Sequence, residues 1–138
     1  MLQTKIGKID TKTLLSTLWI FASLNYLYCD VVGLMDANLL KQFLTGRVEG
    51  IEMSQGFLLG ASLLVEIPIV MVLLSRILVF RLNRWANIIA AFIMTVVQTA
   101  TLFLGSSTIY YTFFSIIEIT TTAFIVWYAW KWHKARSE

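Results

Sequence analysis

Four apolar stretches dominate this chain: residues 14–35, 53–75, 85–105 and 108–130. Each is close to the roughly 20 residues that a helix needs to cross a bilayer. In hydrocarbon such a stretch is helical, because only then does each backbone N–H and C=O find a partner within its own segment. Together they take about two thirds of the 138 residues, which leaves no room for a soluble catalytic domain. Composition agrees: 58% of the residues are hydrophobic and 14% charged, more apolar surface than a soluble domain of this length buries. The chain is therefore read as all-α, a polytopic membrane protein forming one four-transmembrane-helix bundle over residues 1–138. Lys5, Lys8 and Lys12 precede the first span as they would in a signal peptide. That span is too long for the usual apolar region of one, and "NYLYCD" lacks a small-residue cleavage site, so it is expected to stay as the first helix.

Charge sets the expected orientation. Lys5, Lys8, Lys12, Arg76, Arg81, Arg84, Lys131, Lys134 and Arg136 fall on one side if all four segments span, against Lys41 and Arg47 on the other. The positive-inside bias then predicts a multi-pass protein of the cell membrane with both termini cytoplasmic. The net charge of +3 reflects this asymmetry, so no nucleic-acid partner is inferred; the lipid bilayer is the expected partner. Trp85, Trp127, Trp130 and Trp132 predict an inner interfacial belt, and Tyr110 and Tyr111 an outer one.

The first outer loop, "MDANLLKQFLTGRVEGIE", carries an N-cap candidate in Asp36, an apolar cluster of Leu39, Leu40, Phe43 and Leu44, and a stop signal in Gly46. This predicts a short amphipathic helix on the outer surface. Gly105-Ser106-Ser107 is so short that the last two spans form a tight antiparallel hairpin. Gly56 and Gly60 form a GxxxG spacing that lets helices approach closely, within the bundle or between copies in a homo-oligomer. Pro68 frees the carbonyl of Leu64, next to Glu66.

Glu66 and Glu118 sit near the middles of their spans, Asn25 at the same depth, and Asp30 and Gln98 in the outer halves. Helical spacing groups Gln55, Ser62 and Glu66 on one face, and Tyr111, Ser115, Glu118 and Thr122 on another. Ser23, Tyr26 and Asp30 share a third face, and Asn87, Ala91, Met94, Gln98 and Thr101 a fourth. These faces are expected to converge on a polar pocket lined by Asn25, Asp30, Glu66, Gln98 and Glu118, with Tyr26 and Tyr111 toward its mouth. The spans hold three acids and no base except at their ends. An acid at a helix centre costs roughly 2.5–3.5 kcal/mol on insertion scales. The glutamates are therefore expected to be neutral, hydrated, or neutralised by a cation from outside. As plain structure, either glutamate alone would hydrogen-bond a neighbouring helix or the carbonyl freed by Pro68.

Cys29 is the lone cysteine and His133 the lone histidine, in the tail. That removes thiol–disulfide exchange, bis-histidine haem and a hydrolytic triad, and neither a cofactor nor a metal nor an enzymatic activity is expected. The stretches "EGIEMSQGFLLGASLLVEIPIVMVLLSR", "NRWANIIAA" and "IEITTTAFIVWYAWKW" resemble a family of small, mostly bacterial four-helix membrane proteins of unknown function. The resemblance implies that Glu66, Pro68, Arg76, Asn87 and Glu118 belong to the family pattern, and implies no activity. A more distant likeness to the DoxX-like membrane proteins is one of size and helix count. Two functions follow from the residues. One is proton- or cation-linked transport of a small solute through an acidic pocket, as in small multidrug exporters, whose membrane glutamate lies instead in the first helix. The other is a non-transporting scaffold that binds a lipid, a quinone or another small lipophilic ligand, or a partner membrane protein, with the glutamates as clamps.

Overall fold

A computed structural model describes residues 9–105 and 107–133. Its elements in chain order are α1 (Thr11–Met35), α2 (Ala37–Leu44), β1 (Arg47–Val48), β2 (Ile51–Glu52), α3 (Gln55–Ile77), α4 (Phe80–Leu104) and α5 (Ile109–Lys131). α1, α3, α4 and α5 are long and apolar enough to cross a membrane. The fold is an all-α bundle of four spans. Helix starts follow capping chemistry: Asp10 accepts from the Thr13 amide, Asp36 from Asn38 and Leu39, and Ser54 from Phe57. α1 begins three residues before the expected 14 and α4 five before the expected 85, so Arg81 and Arg84 lie inside a helix. Both are in its first turns, where long basic side chains reach the bundle's end.

Lys12, Arg76, Arg81, Arg84 and Lys131 gather at one end of the bundle, called the basic end here. Lys5, Lys8, Lys134 and Arg136, and Ser106 of the α4–α5 turn, lie outside the described residues. At the basic end Arg84 donates to the carbonyl of Ala129 (3.2 Å), which also accepts from the Trp132 amide, and to that of Trp130 (2.8 Å), one of the carbonyls a helix C-terminus leaves without a helical partner. Trp85 meets Trp130 edge-on at 6.5 Å, and the Lys131 ammonium sits 4.5 Å from the Trp127 ring centre.

The other end carries a cap. α2 is the expected short amphipathic helix, and Gly46 beyond it takes φ +76°. A feature not anticipated is the antiparallel ribbon of β1 and β2, turned by Glu49 (φ +50°) and Gly50 (φ +83°). Two successive residues of positive φ make the two-residue turn whose twist matches paired strands. Leu39 of α2 packs over Gly33 of α1, where a Cβ would stand 3.2 Å from the leucine Cδ2 and 3.7 Å from the Tyr110 hydroxyl.

α4 packs most extensively on α5, and α1 on α3 and α5, while contact between α3 and α4 is slight. The apolar core comprises Leu15, Trp19, Ala22, Met71, Ala90, Ala91, Met94 and Ile125. Toward the basic end it meets a buried polar network. Asn87 Oδ1 accepts from Trp19 Nε1 (2.7 Å) and Ser75 Oγ (3.2 Å). Its Nδ2 donates to the Asn83 side chain (2.7 Å) and carbonyl (2.8 Å), and Asn83 donates to the Ser75 carbonyl (2.6 Å). This network ties α1, α3 and α4 together and seals that end. In α3 the buried residues are Pro68, Met71 and Ser75, all in the half toward the basic end.

Candidate functional site

α5 turns Ser115, Glu118, Thr121, Thr122, Ile125 and Ala129 into the bundle, so Glu118 points inward and is 1% exposed. Its Oε1 has no hydrogen-bond partner, and neither do the buried Tyr26 hydroxyl and Ser23 Oγ of α1. Such orphaned atoms are uncommon in folded chains, since each gives up its hydration with nothing in return. Tyr26, Cys29, Asp30 and Tyr111 are all close enough to Glu118 to act on it electrostatically or be acted on.

Above Glu118, toward the cap, polar groups continue in steps of one helical turn. Gln98 Nε2 donates to Ser115 Oγ (2.8 Å), Thr101 Oγ1 donates to the Gln98 carbonyl (2.9 Å), and Tyr111 donates to Thr101 Oγ1 (2.9 Å). Thr101 and Tyr111 then border a cavity of about 470 Å³ under the cap, whose other walls include Leu39, Gln42, Glu49 and Tyr110. Glu118 lies nine residues into α5, so this polar column is about 14 Å deep at 1.5 Å of rise per residue. Just below Glu118, Thr95 and Thr122 pair at 2.8 Å, and the apolar core closes the way.

Of the residues expected to line one pocket, Glu118, Gln98, Tyr26 and Tyr111 are brought together. Asp30 is at the margin, exposed but within electrostatic reach of Glu118. Asn25 turns back on its own helix, donating to the Phe21 carbonyl at 2.8 Å. Glu66 is the clear correction. It is exposed, and it stands about 160° around α3 from Pro68 and about 140° from Met71, at 100° per residue. The polar stripe of α3 therefore faces away from the bundle, and Glu66 and Glu118 share no pocket. Nor does the Leu64 carbonyl clamp it, since the Glu66 side chain makes no hydrogen bond among the described residues. The Asn83–Asn87–Ser75–Trp19 network was not foreseen as a unit; its signal was four polar-capable side chains near the same depth on three spans.

Among the described residues no three His, Cys, Asp or Glu side chains are placed to hold a metal ion. A bundle of four apolar spans with buried polar groups and a capped cavity defines a multi-pass membrane protein. The chain belongs to a family of unknown function, DUF6326, whose pattern matches residues 5–137. Neither the curated proteins nor the solved structures supply a match, so the size-level likeness to DoxX-like proteins gains no relative.

Proposed function

We propose that this protein binds a proton or small cation from its capped side, with Glu118 as the acidic ligand, and couples that binding to passage of a small solute. In this reading the basic end is cytoplasmic, and the cavity under the cap faces outward. The observation that carries it is the buried Glu118 Oε1 with no partner, beneath a column of hydrogen-bonding groups that begins at that cavity. Intramembrane acids that face a bundle interior mark ion and proton routes, because their cost is otherwise unrepaid. Tyr26 and Ser23 would complete the coordination with their free oxygens.

Thermal unfolding of the purified protein in sodium, potassium and tetraethylammonium chloride at equal ionic strength tests the binding step. A rise in Tm specific to one cation, or a proton released on its binding, is expected for the wild type and absent in Glu118→Gln. Liposomes loaded with a pH-sensitive dye then report flux down an imposed gradient. Equal Tm in all salts together with wild-type dye traces that match Glu118→Gln overturns the reading. The scaffold alternative draws on a separate observation, the outward-facing polar stripe of α3, and it predicts that second result.

A further inference from the structure

We propose that the outward face of α3 is the contact surface for a second copy of this chain, with Glu66 of each copy against Glu66 of the other. Gln55, Leu59, Ser62, Glu66, Ile69 and Leu73 recur in steps of four, three, four, three and four, the spacing with which two helices pack along a seam. All six are exposed, with Leu59 at 62% and Leu73 at 60%. Glu66 is the central residue of α3, eleven residues from either end, so its carboxyl lies at the depth where lipid offers no hydrogen-bond partner.

The occupant follows from what can pair with this stripe. The described spans carry lysine and arginine only toward their ends, so the chain offers no base at that depth. Copies of one chain insert in the same sense, and a two-fold axis along the membrane normal sets α3 parallel to α3, each residue facing its own counterpart. A carboxylic acid in its protonated form and a primary amide each donate and accept, so Glu66 and Gln55 are each their own complement, while Ser62 Oγ, donating to the Leu58 carbonyl at 2.8 Å, still offers its lone pairs. Gly56 and Gly60 lie about 80° and 120° around α3 from Glu66, off this seam, so the contact is made by the side chains of the stripe. The surface is independent of the Glu118 site, since the cavity above that site is lined by no residue of α3.

Oxidative cross-linking in membranes tests this. In a Cys29→Ala background, single Leu59→Cys and Ser62→Cys variants are expected to give a covalent dimer of the chain. Phe92→Cys, on an exposed face of α4, is expected to give little. Energy transfer between labelled copies in lipid vesicles provides the second measurement. Glu66→Gln, which still donates and accepts, should retain association, while Glu66→Leu should weaken it about 3- to 30-fold, the range for one or a few interhelical hydrogen bonds. Both substitutions are on the exposed surface, so folding does not depend on them. No product at residues 59 and 62, a product equal to that at 92, a cross-link to a different protein, or a Glu66→Leu chain that associates like the wild type would each overturn the proposal. None of these outcomes bears on cation binding at Glu118, so the two readings fail separately.

Discussion

Asn87 is the residue whose replacement the fold should feel most for its size. Leucine has a similar branched outline but a larger volume, so Asn87→Leu opens no cavity, and any overpacking at this fully buried site adds to the loss of hydrogen bonding. The change removes the two bonds that cross between helices, from Trp19 Nε1 at 2.7 Å and Ser75 Oγ at 3.2 Å. Interhelical hydrogen bonds in membrane proteins average about 0.6 kcal/mol and reach about 1.7. The Trp19 indole and Ser75 hydroxyl are also left buried without an acceptor, which costs about 1–3 kcal/mol where no alternative partner is found. Ser75 can turn to a backbone carbonyl of its own helix, whereas the rigid indole cannot. The expected loss is therefore about 2 kcal/mol. Unfolding by sodium dodecyl sulfate in mixed micelles, followed by circular dichroism, measures it. A double-mutant cycle with Trp19→Phe isolates the indole–amide bond, and a coupling of about 0.6–1.7 kcal/mol is expected. Coupling below about 0.3 kcal/mol, or an Asn87→Leu chain as stable as the wild type, would refute the role given to this network.

Three further outcomes are expected. Asp36→Ala removes both capping bonds of α2 and should destabilise that helix by roughly 1 kcal/mol, seen as faster hydrogen exchange in 37–44 while α5 amides are unchanged. Gly50→Ala places a Cβ at φ +83° and should weaken the β1–β2 turn by roughly 1–2 kcal/mol, read by the same exchange experiment at the ribbon amides. Cys29, buried against the interior of the bundle, should resist a bulky maleimide in the bilayer and react fully after denaturation; labelling at the rate of an exposed thiol would contradict the packing of α1 on α5.

The spans were legible because their length and hydropathy are set by the bilayer, and the cap helix because Asp36 and Gly46 mark its ends. The β1–β2 ribbon was not, since strands of two residues are too short to show an alternating pattern. Periodicity grouped Gln55, Ser62 and Glu66 correctly but is silent on which way a face points. In a soluble helix the polar face points to water. In a membrane helix a polar face is expected inward, and α3 breaks that expectation because Pro68, Met71 and Ser75 occupy its inward side. In α1, Ser23, Tyr26 and Asp30 do share one face, within about 60° of arc, yet Tyr26 is half-buried while Asp30 is exposed, a difference that periodicity does not carry. The burial of Glu118 was legible because its neighbours at spacings of three and four, Ser115 and Thr122, are themselves buried partners of α4.

The distribution of packing along α3 has a mechanical meaning. Its buried residues all lie from Pro68 onward, and the hydrogen bonds that join it to α4 are all at the basic end. The thirteen residues 55–67 have no buried member on any side. α3 is thus a cantilever, clamped at its root, with Leu64 and Ile67 still resting on the core and residues 55–63 forming an arm about 14 Å long at 1.5 Å per residue. A tilt of about 10° would carry the tip of an arm of that length sideways by about 2 Å. Where that tip stands is therefore set by how tightly Met71 and Ser75 are held, more than about 20 Å along the helix from Gln55.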